Sequence, residues 1–101
     1  MAVNCTSVQR ELSVLLSGEL DHHGAKQVMQ ELDKRMDREL PRRLRIDMGA
    51  VTFMDSSGIA VLLRAHRRMS QLQGSMTVGN VPPQALRVFR AAGLHRMIDF
   101  V

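Results

Sequence analysis

The stretch VTFMDSSGIAVLLRAH, residues 51–66, changes its hydrophobic pattern at Asp55. Before it, the segment RLRIDM (residues 43–48) alternates apolar and polar residues, which is typical of a strand. After it, apolar residues recur at helical spacing as far as Leu72. The pattern therefore predicts a strand-to-helix junction, with the polar run Asp55-Ser56-Ser57-Gly58 at the start of the helix.

The rest of the chain alternates predicted strands and helices in the same way. Gln9-Arg10 is the expected turn between the first two strands, Asp21 the expected N-cap of the first helix, and Gly18 and Pro41 the expected ends of their elements. Strands are predicted near residues 3–8 and over 11–18, 43–48, 75–80 and 97–101, and further helices over 24–40 and from Pro82-Pro83 to 89. Such alternation favours an α/β fold in which helices pack on a sheet that contains at least one parallel crossover.

Length and composition restrict the classes of protein to consider. A chain of 101 residues with 45% hydrophobic and 24% charged residues is expected to fold as one domain. The net charge of +4 could attract nucleic acid, but there is no Trp or Tyr to stack on bases. The basic residues are also spread along the sequence, so we expect no direct nucleic-acid partner.

Targeting and cofactor signals are also missing from the sequence. Cys5 is the only cysteine, which suits a reducing compartment, and we expect it to be a small, at least half-buried apolar residue. The first ten residues do not resemble a signal peptide, and no apolar run reaches the roughly 20 residues of a membrane span. We therefore expect a cytoplasmic protein without a membrane partner. His22 and His23 are adjacent, a poor spacing for zinc, and no phosphate-binding glycine motif is present, so no cofactor or metal is predicted.

Three interpretations of Asp55-Ser56-Ser57-Gly58 can be compared on spacing alone. A hydrolase nucleophile would require G-x-S-x-G, and neither serine has a glycine two residues earlier, so an enzyme is not expected. Helix capping is favoured by spacing, because Asp and Ser are preferred N-cap residues. A phosphorylated or partner-binding serine would need exposure, which spacing does not determine.

The predicted helix after Ser56 has a buried stripe and a charged side. Ile59 and Leu63 lie outside the main stripe, on the flank nearest Ser56. They could belong to a partner surface, or to a wide stripe covered by a neighbouring loop, and the spacing leaves both open. The predicted core stripe is Val61, Leu62, Ala65, Met69 and Leu72, and the predicted exposed side is Arg64, Arg67, Arg68 and Gln71.

Three blocks of the sequence resemble the STAS domain of bacterial anti-sigma factor antagonists. They are GELDHHGAKQVMQEL (18–32), LRIDMGAVTFMDSSGIAVLL (44–63) and RVFRAAGLHRMIDF (87–100), and the segments GELDHH and FMDSSG are similar to the sporulation branch. The likeness extends from about Leu12 to Phe100. It implies that residues 1–101 form a single STAS-type domain, with a mixed β-sheet of about 4–5 strands and about 3–4 flanking helices. Many members continue into another helix, so we expect this helix to be lacking, either in a shortened form or in a minimal variant.

The resemblance also implies roles for individual residues. It places the phosphoacceptor on Ser56, with Ser57 as the weaker candidate, and acidic positions on Asp21 and Asp55. Ile59 matches a partner-contacting position that is usually Leu. Gly58 and Leu63 complete the partner-binding set that we predict. Ala60 departs from the glycine common in the sporulation branch, which could change how closely a partner approaches.

The mechanism that the resemblance implies is partner switching. The unphosphorylated domain would bind an anti-sigma factor that is also a serine kinase, and this would free the sigma factor. The kinase, using ATP and Mg that it holds itself, would phosphorylate Ser56 and dissociate, and a serine phosphatase would restore the active form. A non-phosphorylated STAS scaffold and a ligand-sensing STAS module are the alternatives.

Overall fold

One five-stranded sheet with helices packed against it forms the protein in the computed structural model, which describes residues 1–101. The α/β fold predicted from the alternation of elements is confirmed. In chain order the elements are β1 (Ala2–Val8), β2 (Glu11–Leu20), α1 (His22–Glu39), β3 (Arg43–Met54), α2 (Ser57–Gln71), β4 (Ser75–Gly79), α3 (Pro83–Ala91), a 3-10 helix (Leu94–Arg96) and β5 (Asp99–Phe100).

The sheet is mixed, and its strands lie in the order in which they occur in the chain. β1 and β2 form an antiparallel hairpin, whereas β2, β3, β4 and β5 are mutually parallel. The hairpin turns at Gln9 and Arg10, whose φ angles of 50° and 64° match the right-handed twist of the flanking strands. Each parallel pair is joined by a helical crossover, so the carboxyl ends of β2 to β5 meet at one edge of the sheet.

The three helices share a single core with one face of the sheet. This core contains 23 buried residues, all of them apolar, and it draws on every helix and on strands β2, β3 and β4. Along β2, buried Leu12, Val14 and Leu16 alternate with more accessible residues, as the predicted strand pattern requires. Leu15, which is 40% exposed, lies on the opposite face of the sheet.

Two strands are longer than the sequence pattern predicts. Gly18 does not end β2: the strand passes through it with φ of 103° and continues to Leu20. β3 likewise continues beyond Met48 to Met54. Register shifts between β2 and β3 accommodate extra residues in β3, since Gly18 pairs with Val51 but Glu19 pairs with Phe53. These irregularities bring the ends of β2 and β3 level with each other.

Helices α1 and α2 pack side by side on the sheet. The predicted core stripe of α2 is buried except for Leu72, which is half-buried. Two arginines on the charged side of α2 reach across to α1: Arg64 Nη2 lies 2.6 Å from Asp33 Oδ2, and Arg68 Nη2 lies 2.6 Å from Asp37 Oδ1. Because these pairs are largely exposed, they contribute little to the stability of the fold.

Candidate functional site

The N-termini of α1 and α2 lie next to each other at the carboxyl edge of the sheet. Leu20 and Met54 are paired residues at the ends of β2 and β3. The Asp55 N–H donates to the carbonyl oxygen of Leu20 at 3.3 Å, which continues the pairing by one residue. Asp21 and Asp55 therefore follow neighbouring strand ends. The fold brings together the two acidic positions that the sequence places 34 residues apart.

Asp21 is the N-cap of α1, as predicted. Its Oδ1 accepts a hydrogen bond from the Gly24 N–H at 2.8 Å. This hydrogen bond, made to the ionised carboxylate, lowers the pKa of Asp21 below its ordinary value. Asp21 therefore keeps a negative charge at this edge. His22 and His23, the first two residues of α1, are both exposed.

Ser56 lies at the start of α2, as predicted, and its side chain is exposed, which the spacing had left undetermined. It occupies the N-cap position, but its backbone is already helical (φ −63°, ψ −16°) and its side chain makes no capping hydrogen bond. The cap is supplied instead by Asp55, whose Oδ1 accepts from the Ser57 N–H at 2.8 Å. The capping expected of the Asp55-Ser56-Ser57-Gly58 run is therefore confirmed, but Asp55 and not Ser56 supplies the hydrogen bond. The Ser56 hydroxyl is left free for a partner.

Ser57 and Gly58 are less accessible than Ser56. Ser57 is half-buried, and Gly58 is buried against the end of β3. A Cβ atom on Gly58 would lie 2.5 Å from both Cγ and Sδ of Met54, closer than real contacts allow. Burial leaves Gly58 little surface for the direct partner contact that we predicted. Its local role is to let α2 approach β3 closely.

Ile59 and Leu63 lie one helical turn apart on the flank of α2. Both are half-buried, and both pack against the core while part of each side chain remains accessible. Neither of the two sequence interpretations is therefore complete. The accessible parts form, with Asp21, Asp55 and Ser56, a surface that we call the acceptor surface.

Two residues near the acceptor surface were missed from the sequence. Gln84, the second residue of α3, holds the backbone of Met54: its Oε1 accepts from the Met54 N–H at 2.9 Å, and its Nε2 donates to the Met54 carbonyl at 2.7 Å. Phe53 is 45% exposed, although it lies two residues after buried Val51 and regular alternation would place both on the same face. Pairing with Glu19 across a register shift places Phe53 on the open face. No local pattern signals either feature.

The chain matches the sequence profile of the family described as "Mlab, STAS domain" over residues 4–99. It belongs to the STAS family. The resemblance noted in the sequence is thereby confirmed, and the mixed sheet with flanking helices is the fold of this family. No group of three or more His, Cys, Asp or Glu side chains is arranged to hold a metal ion. None of the helices combines the length and apolar character needed to cross a membrane.

Two relatives of the chain are described as anti-sigma factor antagonists. The STAS chain is 34% identical over 87 residues to an anti-sigma F factor antagonist of Paenibacillus polymyxa, covering 86% of this chain and 74% of the relative. It is 28% identical over 88 residues to an anti-sigma-B factor antagonist of Listeria monocytogenes, covering 87% and 76% of the two chains.

Solved structures of the anti-sigma factor antagonist SpoIIAA are also similar. The unphosphorylated form superposes with a TM-score of 0.86 at 26% identity, over 99% of this chain and 88% of SpoIIAA. The phosphorylated form of SpoIIAA from Bacillus superposes with a TM-score of 0.77 at 26% identity, over 99% and 91% of the two chains. The likeness to the sporulation branch is thus supported by sequence and by structure.

Replacing the Asp21 cap should destabilise the fold in a pH-dependent way. We expect Asp21→Ala to lower Tm by several degrees at pH 7. Since the folded pKa is lowered, the contribution is fully present above the unfolded value of about 3.9 and is lost as pH falls further. In thermal melts, the difference in Tm between the wild type and Asp21→Ala should be smaller at pH 3 than at pH 7. For Asp99→Ala, which replaces an exposed aspartate, the difference in Tm from the wild type should be small at both pH values. A Tm difference that was larger at pH 3 than at pH 7 would contradict the role of ionised Asp21 as the helix cap.

Proposed function

We propose that this protein is an anti-sigma factor antagonist regulated by phosphorylation of Ser56. In its unphosphorylated form it binds an anti-sigma factor and frees the sigma factor for transcription. The observation that carries the proposal is the Ser56 hydroxyl, which is exposed at a helix start and not used by the turn around it. Similarity to anti-sigma factor antagonists, and to a relative solved with and without phosphate, supports this role.

Phosphorylation would end binding through local charge. A phosphoserine carries about −1.5 to −2 charges at neutral pH. On Ser56 this charge would stand beside the carboxylate of Asp55 and near that of Asp21, at the same edge of the sheet. When the phosphate is placed in an interface beside partly accessible Ile59, it also loses its hydration. This desolvation cost adds to the repulsion from the carboxylates. The contact is weakened without any large conformational change.

The same phosphate should be compatible with the folded protein. Ser56 lies at the N-terminus of a 15-residue helix, where the macrodipole and the free N–H groups favour negative charge. The exposed hydroxyl can accept a phosphoryl group without entering the core. The phosphorylated form is therefore a folded protein with an altered surface, which a phosphatase can return to the binding state.

The partner that this arrangement requires is an anti-sigma factor with serine kinase activity. The kinase would supply its own ATP and Mg, and a separate serine phosphatase would reverse the modification. The STAS domain itself then acts by binding and catalyses no reaction. We place the switch in the cytoplasm, where sigma factors act.

Recovering the partner with two forms of the domain tests this assignment. Unmodified protein used as bait in its native cell should retain an ATPase of the GHKL type together with serine kinase activity. Ser56→Asp bait should retain neither, because of the added charge. Recovery of only further copies of the domain by both baits would instead favour a STAS scaffold.

Truncating Ile59 should weaken partner binding more than it weakens the fold. Ile59→Ala removes a half-buried side chain, so we expect a loss of about 1 kcal/mol in unfolding free energy. At an interface position the same change should lower affinity by at least about tenfold. Leu72→Ala is the matched control, since Leu72 is half-buried at the far end of the helix and should leave affinity unchanged. Equal affinity losses for both variants would place Ile59 outside the interface.

A further inference from the structure

Beyond the end of β4, strand β3 has no paired strand on the side where β4 lay. β4 ends at Gly79, which pairs with Asp47, whereas β3 continues to Met54. Backbone groups along such an overhang normally require water or a side chain as a partner. The Met54 N–H and carbonyl are instead both satisfied by the side-chain amide of Gln84, at 2.9 Å and 2.7 Å. One carboxamide thus reproduces the donor and acceptor pair that a neighbouring strand would present.

Met54 is the residue from which the phosphoacceptor turn departs. The next residue, Asp55, is bonded to Leu20 on the other side of β3 and caps α2 through Ser57. The Met54 side chain is buried directly beneath Gly58 in the first turn of α2. The turn that carries Ser56 is therefore anchored on one side by β2 and on the other by Gln84.

We propose that Gln84 is a positioning residue for phosphorylation of Ser56. It holds Met54, and through Met54 the turn over residues 55–57, so that the Ser56 hydroxyl is presented to the kinase in a fixed orientation. The inference rests on the proposed function, to which it adds a role for α3. Phosphoryl transfer depends strongly on this alignment, because the attacking oxygen must lie in line with the leaving group.

If Gln84 has a positioning role, its loss should disorder the turn over residues 55–57 and leave the fold intact, whereas the loss of a purely structural residue would destabilise the whole domain. Gln84 is only partly buried and takes no part in the 23-residue core, so its removal leaves that core intact. The backbone groups of Met54 lie at a partly buried edge that water can reach once the amide is gone. The fold should therefore persist while the turn over residues 55–57 loses order.

Two variants and a control separate these roles. Gln84→Leu removes both hydrogen bonds to Met54, whereas Gln84→Glu keeps only the acceptor. Gln71→Leu makes the same change at an exposed glutamine near the end of α2. The first readout is amide hydrogen exchange at Asp55 and Ser57, whose N–H groups donate to Leu20 and Asp55 and not to Gln84, compared with Val28 in α1. The second is steady-state phosphorylation by the partner kinase, with kcat and KM separated.

For Gln84→Leu we expect exchange at Asp55 and Ser57 to accelerate by about tenfold, with Val28 unchanged. Its kcat for Ser56 phosphorylation should fall about 10- to 100-fold, with little change in KM. Gln84→Glu should be intermediate and Gln71→Leu unaffected in both readouts. An unchanged kcat, or an acceleration of exchange that includes Val28, would overturn the positioning role. If the wild-type protein accepted no phosphate, the proposed function would fail as well, whereas normal phosphorylation of the wild type with an unchanged kcat for Gln84→Leu would overturn only the positioning role.

Discussion

Ser56→Asp is expected to bind the anti-sigma kinase at least about 30-fold more weakly than Ser56→Ala. The carboxylate would stand next to Asp55 on the acceptor surface, so two negative charges would have to enter the interface together. An unpaired charge at an interface costs roughly 2–5 kcal/mol, which corresponds to about 30-fold to several-thousand-fold in affinity. Isothermal titration calorimetry against the nucleotide-loaded kinase measures the difference.

The same two variants should fold equally well. Ser56 makes no capping hydrogen bond, so alanine removes no local interaction. A carboxylate at a helix N-terminus is neutral or stabilising by roughly 0.3–1 kcal/mol. Thermal melts should therefore place Ser56→Asp at or above Ser56→Ala. Ser70→Asp, an exposed serine at the other end of α2, serves as the charge control and should keep full affinity. Equal affinities for the two Ser56 variants would show that charge at this position is not the switch.

Gly58→Ala should destabilise the protein, although the substitution lies inside a helix. Helix propensity alone favours alanine over glycine by about 1 kcal/mol. Here the new methyl group would lie 2.5 Å from Cγ and Sδ of Met54 and 3.0 Å from Cδ2 of Leu20. Overpacking of this kind typically costs about 1–3 kcal/mol, which should exceed the gain in propensity. A fall in Tm of about 4–8 °C for each kcal/mol lost would be visible in a thermal melt.

The cause of this loss can be isolated with a second substitution. In a Met54→Ala background the two atoms at 2.5 Å are absent and only the 3.0 Å contact with Leu20 remains, so adding Gly58→Ala should be neutral or stabilising. The destabilisation caused by Gly58→Ala should therefore be seen only when Met54 is present. If Gly58→Ala were stabilising in the wild-type background, the conclusion that α2 packs too closely on β3 to accommodate a Cβ at residue 58 would be wrong.

The fold follows largely from local patterns. Apolar alternation identified β2 and the first half of β3, and the helical stripe of α2 identified its buried side. The ends of β2 and β3 could not be predicted from local patterns. For β2 the reason is Gly18, because a glycine indicates the end of a strand when only its neighbours in sequence are considered. Its positive φ is accommodated by a register shift against β3, which depends on the partner strand.

The site was predictable to the extent that its residues act locally. Ser56 at a helix start and Asp21 as a cap followed from short-range rules. The same rules could not identify the residue that caps α2. Asp55 and Ser56 are equally suitable by residue type, and the backbone angles decide between them. The contact of Gln84 with Met54 spans thirty residues and depends on where β4 ends, which no local pattern contains.

The most direct test of the switch is release of the partner by ATP. A preformed complex of the unmodified domain with its anti-sigma kinase is incubated with Mg-ATP, then examined by size-exclusion chromatography and by mass spectrometry of the STAS chain. We expect stoichiometric phosphate on Ser56 and dissociation, whereas Ser56→Ala should remain bound under the same conditions. Dissociation without phosphate on Ser56, or a complex that survives full phosphorylation of Ser56, would contradict the switch.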